Sequence, residues 1–524
     1  MPQDRILAAI DIGTNSIHMV VVRVKTHLPS MSIIAAEKAT VRLGERCAQT
    51  GKLLDEAMER SLEALARCQE ICRAMDVEEI IIVATSATRE SPNGLDFIRR
   101  IEQELGLRVE IISGQEEARR IYLGVLSAME LQNQPHVVID IGGGSTELIL
   151  GDGHDPLYLS STKVGAVRLT DQFIKTDPIS ILEFERLQNY IRGMLERPID
   201  ELKQSLDRKP AQMIGTSGTI ETLATLHAKE KLGSVPNPLQ GYEFSFVDLE
   251  SMVARLRKLN LADRTELLKQ KRAEIILAGA LVLQEAMRLL GATKIVVCQR
   301  SLREGLIVDW MIRQGFIEDR LRYQSSVRDR SVLKLADKYS INLDYAKQVA
   351  RMALSLFDQT QGVLHEWGQE ERSLLWAAAM LHNSGHHINN AAHHKHSYYL
   401  IRNGELLGYT ETEIEAIANL ARYHRKSEPK KKHENFQKLL NDRLQLMVRQ
   451  LSTLLRLAVA LDRRQVSGIA SVEVLFYPKT KTCHLQITPA DPTDSCALEL
   501  WSLEYKKQPF EAQFNYTLTA SLKS

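Results

Sequence analysis

The hydrophobic pattern of the chain contains one short motif twice. Residues 7–22 read LAAIDIGTNSIHMVVV, and residues 137–150 read VVIDIGGGSTELIL. Each copy is an apolar, β-rich run followed by Asp-Ile-Gly, a short polar loop that ends in Ser, and a second apolar run. A repeat at this long distance predicts two duplicated lobes rather than a solenoid, whose period is far shorter. We expect each copy to form a strand-turn-strand unit, and the two loops to face each other across a cleft.

The rest of the first 314 residues alternates between strand and helix signals. In the first lobe, residues 1–126, the pattern predicts strands at 6–12, 17–25, 31–37, 79–84 and 107–112, helices at 53–75 and 93–105, and a helix that begins near Ser113. The second lobe, residues 127–314, repeats this plan with a hairpin at 136–150, strands near 157–163 and at 294–299, and helices at 178–206 and 248–260. The fold class is therefore two α/β lobes that share a cleft.

The pattern changes after about residue 315. From Val327 to Arg464 it is almost wholly helical, with periodic Leu, Ala and Met, which predicts an all-α domain at 315–465. The last segment, 466–524, contains the β-like runs VEVLFY, CHLQIT, ALELWSLEY and FNYTLTASL, separated by turn signals. We expect a small C-terminal domain that contains β structure, so that the 524 residues divide into four domains.

Composition and charge exclude little. Hydrophobic residues make up 44% of the chain and charged residues 25%, and the net charge of +1 gives no global attraction to nucleic acid or to a membrane. Cys68 and Cys72 lie four apart on a predicted helix and are interpreted as packing residues, and nothing demands an oxidising compartment. The N-terminus lacks a signal-peptide pattern, and no run approaches the roughly 20 apolar residues of a membrane span. We expect a cytoplasmic protein that inserts in no membrane and binds no nucleic acid.

The two repeated loops are the first candidates for chemistry. Gly13-Thr14-Asn15-Ser16 is compatible with a plain hairpin turn, because these are ordinary turn residues. Gly142-Gly143-Gly144-Ser145 is a stronger candidate, since three consecutive glycines allow the backbone to approach a ligand closely. Backbone N–H groups and hydroxyls from both loops suit a phosphate chain. Asp11 and Asp140, at the end of each first strand, are placed to hold a divalent cation beside it.

Three further side chains are candidates because of their position after or within strands. In EIISGQEEARRIYLGV (110–125), Ser113 and Glu116 fit a capping box, which leaves Glu117 without a local duty. Glu117 is a candidate general base, and its alternative role is to complement the helix dipole. Glu147 lies seven residues after Asp140 and is a candidate second Mg²⁺ ligand, or an ordinary strand Glu. Arg89, after the run IIIVAT, either binds phosphate or is a surface arginine.

Two more strand-end loops are candidates for the rim of the same cleft. Gly215-Thr216-Ser217-Gly218-Thr219 is a glycine- and hydroxyl-rich turn from a strand into a helix. The segment 299–305, QRSLREG, follows the apolar run KIVVC. Arg303 in this segment either faces the cleft or is a structural ion-pair partner.

The helical region carries a histidine pattern and a basic segment. His382-Asn383, with His393, His394, His396, His424 and Asp462 later in the chain, resembles the HD superfamily of metal phosphohydrolases, which needs a His-Asp doublet. Asn383 is a poor metal ligand, which favours a folded scaffold without a working metal site. The segment 422–432 is the most basic stretch of the chain, and it is either solvated surface or a groove for a long polyanion. Its candidate polyphosphate-guiding residues are Arg422, His424, Arg425, Lys430, Lys431 and Lys432.

Taken together, the motifs resemble the exopolyphosphatase and guanosine pentaphosphate phosphohydrolase family of the actin/Hsp70/sugar-kinase superfamily. The resemblance runs through AIDIGTNSIHMVV, VRLGE, ATSATRE, EIISGQEEARRIYLGV, VIDIGGGSTELIL, KVGAVRLT, GTSGTIETLA and SLREGL, and covers roughly residues 6–310. It continues through AAMLHNSGHHI, HKHSYYLI and ARYHRK. It implies two actin-like (ribonuclease H-like) lobes, then an all-α HD-like domain and a small α+β C-terminal domain.

The resemblance also implies a role for each matched residue. Glu117 would activate water. Asp140 and Glu147 would bind Mg²⁺, with Mn²⁺ as the alternative metal, and a monovalent cation would be a possible additional cofactor. Arg89 would contact the phosphate chain. The terminal phosphates would be held by Thr14, Asn15, Ser16, Gly143, Gly144 and Ser145. A homodimer is the oligomeric state that the family suggests.

Four functions remain open from the sequence. The first is an Mg²⁺-dependent, processive exopolyphosphatase that releases terminal orthophosphate from inorganic polyphosphate. The second is a phosphatase that converts guanosine pentaphosphate to the tetraphosphate on the same scaffold. The third is an ATP-dependent kinase or actin-like ATPase, and the fourth is a non-catalytic phosphate or alarmone sensor.

Overall fold

The computed structural model describes residues 4–25, 30–45, 50–154, 156–206, 212–268, 270–317, 327–439 and 441–523. Of the six cysteines, Cys47 lies outside these ranges. The chain forms two compact units, Met1–Val327 and Arg328–Ser524. We describe each unit by itself.

The first unit contains two sheets, each followed or flanked by helices. The first sheet is built from β1 (Arg5–Ile12), β2 (Ser16–Lys25), β3 (Ser30–Thr40), β4 (Glu79–Ala84) and β5 (Glu110–Ile111). Its helices are α1 (Asp55–Ala74), α2 (Ser86–Arg89), α3 (Gly94–Leu105) and α4 (Gly114–Leu126). Cys68 and Cys72 are buried on α1 in the core of this lobe, as their spacing predicts. The strand predicted at 107–112 is present only over Glu110–Ile111.

The second sheet repeats the plan of the first. Its strands are β6 (His136–Ile141), β7 (Thr146–Gly151), β8 (Tyr158–Thr162), β9 (Gln212–Thr216), β10 (Glu243–Ser245) and β11 (Lys294–Val297). Its helices are α5 (Ala166–Phe173), α6 (Ile181–Ser205), α7 (Gly218–Leu232), α8 (Phe246–Leu256), α9 (Leu261–Leu267), α10 (Gln270–Ala273), α11 (Ile276–Leu290) and α12 (Leu302–Arg313).

The strand orders show the duplication directly. They are β3-β2-β1-β4-β5 in the first sheet and β10-β11-β9-β6-β7-β8 in the second. In each sheet an antiparallel three-stranded run is extended by parallel strands, β1 beside β4 and β6 beside β9. Each lobe has its own hydrophobic core. The carboxyl ends of β1, β4, β6, β9 and β11 are therefore the places where cleft residues are expected.

The second unit is mostly helical and ends in a three-stranded sheet. Its helices are α13 (Val327–Lys338, whose first residue is the last of the first unit), α14 (Leu343–Thr360), α15 (Gln369–Leu381), a 3₁₀ turn (Ser384–His387), α16 (His393–Arg402), α17 (Glu411–Arg422), α18 (Glu434–Gln437), α19 (Asp442–Ala460), α20 (Ala497–Lys506) and α21 (Gln508–Phe514). The sheet has the order β12 (Ile469–Tyr477), β13 (Thr482–Pro489), β14 (Thr517–Leu522). One hydrophobic core includes residues from the helices and from this sheet.

One of the predicted C-terminal strands is wrong, and another is shorter than predicted. ALELWSLEY forms the helix α20, and FNYTLTASL is a strand only over Thr517–Leu522. The apolar residues Trp501, Leu503 and Tyr505 alternate along the sequence as in a strand, but Trp501 and Tyr505 are exposed whereas Leu503 is buried. The buried positions Cys496, Glu499 and Leu503 follow helical spacing instead, and Glu499 is buried because it pairs with Arg464. A buried ion pair on the inner face concealed the helical period.

Candidate active site

In each motif, strand register places the residue seven positions after the aspartate directly opposite that aspartate. In the second lobe Asp140 on β6 lies directly opposite Glu147 on β7. In the first lobe Asp11 on β1 lies opposite His18 on β2 in the same way. Residues opposite each other in an antiparallel pair place their side chains on one face of the sheet. Asp140 and Glu147 are thus neighbours by topology, and His18 takes the position of Glu147 in the first lobe.

Both repeated loops are closed turns with unused backbone donors. The amide of Gly13 donates to the Ser16 carbonyl at 3.2 Å, and the amide of Gly142 donates to the Ser145 carbonyl at 2.9 Å. Within the described residues, the amides of Thr14, Asn15, Gly143 and Gly144 donate to no acceptor. Successive unpaired N–H groups in a turn form a concave site for an anion. Both loops are therefore suited to bind phosphate oxygens.

Neighbouring segments hold the two turns in place through backbone hydrogen bonds. The amides of Val41 and Arg42 donate to the carbonyl of Asn15, and the amide of Gly44 donates to the carbonyl of Thr14. The VRLGE motif therefore supports the first loop from behind. In the second lobe, the amides of residues 167 and 168 donate to the carbonyl of Gly143.

The two loops touch each other, which explains why residue 144 is a glycine. A Cβ atom on Gly144 would lie 2.5 Å from Oγ of Ser86 and 2.6 Å from Oγ1 of Thr14. Both of those side chains belong to the first lobe, whereas Gly144 belongs to the second. The sequence interpretation assigned the glycines to ligand approach alone. For Gly144, close contact between the lobes is a sufficient reason.

Glu117 is buried at the beginning of α4. Its residue exposure is 7%, and its Oε2 accepts a hydrogen bond from Nη1 of Arg89 at 3.0 Å. The same Arg89 nitrogen donates to the carbonyl of Ile112 at 2.7 Å. Burial raises the pKa of Glu117 to about 7, with Arg89 lowering it and the nearby Asp11 and Asp140 raising it. A solvent-exposed carboxylate that only complements the helix dipole would not be buried in this way.

The capping box predicted at Ser113 is only half formed. Oγ of Ser113 accepts from the amide of Glu116 at 3.1 Å, as expected. The Glu116 carboxylate does not return to Ser113 but binds Arg119 and Arg120, at 2.7 Å and 2.6 Å. These hydrogen bonds, chiefly from Arg119, lower the pKa of Glu116 to about 2. Two arginines one turn further along the helix outcompete a single backbone N–H for this carboxylate.

Helix α4 is held against α12, which carries another part of the site. Arg119 on α4 also donates to Asp309 on α12 at 2.7 Å. A Cβ atom on Gly305 would collide with the Arg120 carbonyl, so this position on α12 requires glycine for the two helices to lie this close. At the beginning of α12, Ser301 Oγ donates to Oδ2 of Asp140 at 2.6 Å. The helix that carries Glu117 is thereby positioned against the one that contacts Asp140.

One cavity in the first unit brings the predicted residues together. It is lined by Thr14, Asn15, Ser16, Glu117, Asp140, Gly143, Gly144, Ser145 and Glu147, with Asp11 beside them. Arg89 is not part of the lining but contacts it through Glu117. The segments 217–219 and 301–303 also line the cavity, so both predicted rim loops reach it.

The carboxylates in this cavity are held in an unfavourable environment. Burial raises the pKa of Asp11 to about 7 and that of Asp140 to about 6, and it raises the pKa of Glu147 well above its ordinary value. Glu117 and Asp140 add to the increase at Glu147 through like charge. Oδ1 of Asp11 is buried and has no hydrogen-bond partner in the described chain. Several acids at this density are typical of a site that receives a cation.

The donor set fits Mg²⁺ bound jointly with a substrate. Among the described residues, no group of three or more His, Cys, Asp or Glu side chains is arranged to hold a metal ion. Mg²⁺ usually keeps several waters and binds through one or two carboxylates plus substrate phosphates rather than in a cage made only of protein ligands. The unpaired oxygen of Asp11 and the raised pKa values of Asp140 and Glu147 agree with such an incomplete site.

Several lining residues were missed or left undecided by the sequence. Ser217 has a φ angle of 92°, unusual for a residue with a side chain, and its Oγ is buried without a partner in the described part of the chain. It precedes α7, so the N-terminus of a 15-residue helix reaches the cavity. Arg303 faces the cleft: it lines the cavity and its charge lowers the pKa of Asp11 and Asp140. Arg272 and His18 line it as well. Arg272 lies in no sequence motif, and His18 lies in the first repeated motif, where the sequence indicates no role for it.

In the second unit, the histidines of the HD-like pattern are largely buried. His382 and His424 are 0% and 2% exposed, and Nε2 of His424 lies 3.2 Å from Nε2 of His393. The described residues of this unit also contain no group of three or more His, Cys, Asp or Glu side chains arranged to hold a metal ion. The residues of the basic segment lie in three different environments. His424 and Arg425 line a cavity, and Arg422 lies over the rings of Tyr398 and Tyr423. The three lysines are exposed: Lys430, Lys431 and Lys432.

Similarity to known proteins shows which family the chain belongs to. The chain matches the family model described as the Ppx/GppA phosphatase family over residues 20–314. It matches domain III of the same phosphatases over residues 327–507. The chain belongs to the Ppx/GppA phosphatase family. Members of this family are hydrolases, so the protein is assigned as a phosphoanhydride hydrolase. None of the described helices is long and apolar enough to cross a membrane.

Relatives of two kinds are similar to this Ppx/GppA chain. A guanosine-5′-triphosphate,3′-diphosphate pyrophosphatase from Vibrio parahaemolyticus is 32% identical over 80% of each chain, and its counterpart from Vibrio vulnificus is 31% identical over the same shares. Among solved structures, an exopolyphosphatase from Cytophaga hutchinsonii is 28% identical with a TM-score of 0.55, covering 59% of this chain and 98% of that one. The Ppx/GppA family member from Aquifex aeolicus is 27% identical with a TM-score of 0.51, covering 60% and 99%. These matches confirm the actin-like Ppx/GppA fold.

Proposed function

We propose that the protein is an exopolyphosphatase, which hydrolyses the terminal phosphoanhydride bond of inorganic polyphosphate with Mg²⁺. The observation that carries the proposal is the convergence in one cavity of Glu117, three further acids and the unpaired amides of two phosphate-type loops. Donors from both lobes would hold the terminal phosphates from opposite sides. The acids provide a base and the cation ligands.

The shape and lining of the cavity favour a phosphate chain. Its volume is about 160 Å³, below the roughly 300 Å³ of pockets that enclose a drug-sized ligand. A cavity of this volume would enclose one end of a phosphate chain rather than a whole long substrate. No Phe, Tyr or Trp is among the lining residues that the structure describes, so no aromatic ring is present there to stack on a base.

In the proposed reaction, Glu117 accepts a proton from a water molecule as that water attacks the terminal phosphorus. The bond between this phosphorus and the bridging oxygen breaks, and the shortened chain leaves with the electron pair and negative charge on that oxygen. Orthophosphate is the other product. A base with a pKa near 7 is well matched to neutral pH, because it is available unprotonated yet still basic enough to accept the proton.

The remaining residues position and stabilise charge. The amides of Thr14, Asn15, Gly143 and Gly144, with the hydroxyls of Ser16 and Ser145, would hold the terminal phosphate oxygens. Mg²⁺, bound through Asp140 and Glu147, would neutralise charge on the phosphates when present. Arg89 orients Glu117 in the structure, and a direct contact with the phosphate chain remains a proposal from the family.

A second candidate is the conversion of guanosine pentaphosphate to the tetraphosphate. The specific observation in its favour is that the Vibrio relatives, which match over 80% of this chain, are named for a guanosine substrate. The terminal phosphate of such a nucleotide would enter the same cavity, and its base would remain outside.

Phosphate release from the purified protein with Mg²⁺ tests both, with long-chain polyphosphate and guanosine pentaphosphate assayed side by side. We expect faster release from polyphosphate, and a decrease in kcat of about 10²–10⁴-fold for Glu117→Gln, the range of a general base. Glu116→Gln is the matched control, since Glu116 is the adjacent residue but binds arginines outside the cavity. Release mainly from the nucleotide would make the second candidate correct, and release from neither would exclude both.

The basic segment gives a separate test of processivity. Lys430, Lys431 and Lys432 are exposed, so replacing all three with Ala should leave the fold intact. We propose that they hold a long polyanion, since binding along a polyanion displaces its counterions. Unchanged processivity on long chains in this variant would remove them from the mechanism.

A further inference from the structure

A second cavity lies entirely within the second unit. Its volume is about 720 Å³, within the range of pockets that enclose a small-molecule ligand. It is lined from α14, α16, α19 and α20 and from the segment that follows α17. It shares no lining residue with the proposed active site, and it has no role in the proposed reaction.

The lining is strongly cationic. It includes Arg425, Lys426, Arg456, Arg463 and Lys506, against one carboxylate, the exposed Glu428. None of the five cations forms an ion pair with a carboxylate of the described residues, whereas the adjacent Arg464 is paired with Asp494 and Glu499. Arg456 donates instead to the backbone carbonyls of residues 423, 426 and 427, which fixes its guanidinium without neutralising it. The cavity therefore presents net positive charge.

Lys506 shows the consequence of this crowding. Burial, together with the charges of Arg463, Arg456 and Arg425, lowers its pKa to about 8. An anion placed among these four side chains would reduce their mutual repulsion and restore the charge of Lys506. Several oxygens of a phosphate chain would satisfy the guanidinium donors as well.

One side of the same cavity is aromatic. Trp501 and Tyr505 lie one turn apart on α20, with their ring planes 10° apart and their centroids separated by 5.5 Å. They are 58% and 76% exposed, so their outer faces are not covered by the rest of this unit. Stacking on an aromatic side chain contributes about 1–3 kcal/mol per base in nucleic-acid complexes. A flat, exposed pair beside a cationic cluster suits a ligand that has both a base and phosphates.

We propose that this cavity binds a nucleotide, with its base on the Trp501–Tyr505 pair and its phosphates among Arg425, Arg456, Arg463 and Lys506. The active-site cavity offers phosphate donors without an aromatic ring, and this second cavity offers both.

Trp501 provides a local readout in the full-length protein. The other three tryptophans, Trp310, Trp367 and Trp376, are not part of the lining. The fluorescence of the Glu117→Gln protein, chosen to slow turnover, would be titrated with GTP, ATP and inorganic tripolyphosphate. The same titration of the Glu117→Gln protein that also carries Trp501→Phe measures the signal of the other three tryptophans. Subtracting it leaves the signal of Trp501. We expect GTP and ATP to quench Trp501, and tripolyphosphate to bind at least fivefold more weakly.

Paired variants locate the binding. Lys506→Gln should weaken nucleotide binding at least fivefold, whereas Lys507→Gln, which removes the same charge from the next residue, should change it less than twofold. Lys507 is paired with Glu504 and does not line the cavity. A melting temperature for each variant shows whether it is folded, and Lys506→Gln should be no less stable because it removes a crowded charge.

Three results would overturn the proposal. They are no quenching of Trp501 by either nucleotide, equal binding of tripolyphosphate and nucleotide, and equal effects of Lys506→Gln and Lys507→Gln. Equal binding of tripolyphosphate would identify a plain polyanion site without base recognition. The proposed function is measured separately as phosphate release, so either proposal can fail alone.

Discussion

At the scale of single residues, the site depends on carboxylates that are buried away from water and that have few positive charges beside them. Glu117 illustrates the balance, because burial raises its pKa while Arg89 lowers it. An unprotonated base is required for water activation, so activity should increase with pH until Glu117 is ionised. A bound cation shifts this limb to lower pH, since positive charge favours the carboxylate.

The first prediction concerns the Arg89–Glu117 pair. Arg89→Gln removes a positive charge 3.0 Å from the carboxylate and should move the acidic limb of the kcat profile to higher pH. The rate of Arg89→Gln should therefore be closer to that of the unsubstituted protein at high pH than at pH 6. The pH dependence of phosphate release checks this. An acidic limb that stays in place, with a loss only in KM, would indicate that Arg89 acts on the substrate rather than on Glu117.

The second prediction concerns Ser217, whose backbone is strained and whose hydroxyl is unused. Ser217→Ala removes the hydroxyl and keeps the strain, whereas Ser217→Gly removes both, because glycine adopts positive φ freely. We expect both variants to lose about tenfold in kcat/KM, the effect of about one hydrogen bond to a charged group. Only Ser217→Gly should gain stability, by about 1 kcal/mol. Unchanged kinetics in both variants would remove Ser217 from substrate binding.

At the scale of elements, the repeated hairpin was predictable and its surroundings were only partly so. Apolar runs around Asp-Ile-Gly marked β1, β2, β6 and β7 because strand and turn signals there are local. The pairing of Asp140 with Glu147 is a consequence of the same hairpin. Ser217, Arg272 and Arg303 reach the cavity from separate segments, and no local pattern tells which side chains of those segments turn inward.

The helix α20 shows the opposite case, in which a local pattern was misleading. Its apolar Trp501, Leu503 and Tyr505 imitate the alternation of a strand, and its buried Glu499 hides the helical face. Exposed aromatic residues that break a pattern are informative in themselves, since these two line the second cavity.

The third prediction tests the contact between the two loops. Gly144→Ala would place a methyl group against Ser86 and Thr14, so the lobes must separate slightly at the phosphate site. We expect kcat to fall at least tenfold while the protein remains folded, because both contacted atoms are ends of side chains. Gly193→Ala is the matched control: it lies within α6 with nothing within 4 Å, and should stabilise the protein by up to about 1 kcal/mol. Equal activity of the two variants would show that loop closure is not required.

At the scale of the whole molecule, the duplication accounts for both the proposed function and its cost in stability. Two lobes of the same plan bring two hairpin turns to one cavity, so acids gather where substrate phosphates and a cation are expected. Without a cation, these acids oppose folding. The second unit has its own core and its own cavity, and the sequence repeat gives no information about either.

The last prediction follows from this cost. The pKa values of Asp11, Asp140 and Glu117 are raised in the folded state, so between about pH 4 and pH 7 these acids hold more protons in the folded state than in the unfolded state. Their contribution to the free energy of unfolding therefore falls as pH rises through that window, whereas buried histidines such as His18 and His382, whose pKa values burial lowers, contribute with the opposite sign. Mg²⁺ should restore stability at pH 8, where the carboxylates are ionised, and should have little effect at pH 5.

Melting temperatures at pH 5 and pH 8, in EDTA or in Mg²⁺, measure this without reference to turnover. Asp140→Asn should raise the stability in EDTA at pH 8, on the order of 1–3 kcal/mol, because it removes a buried charge whose pKa is about 2 units above its ordinary value. It should also reduce the stabilisation by Mg²⁺. Asp96→Asn, at an exposed position on α3, should change neither quantity. If Mg²⁺ stabilised the Asp140→Asn protein as much as the unsubstituted one, the cation would not bind through Asp140, and the metal part of the mechanism would be wrong.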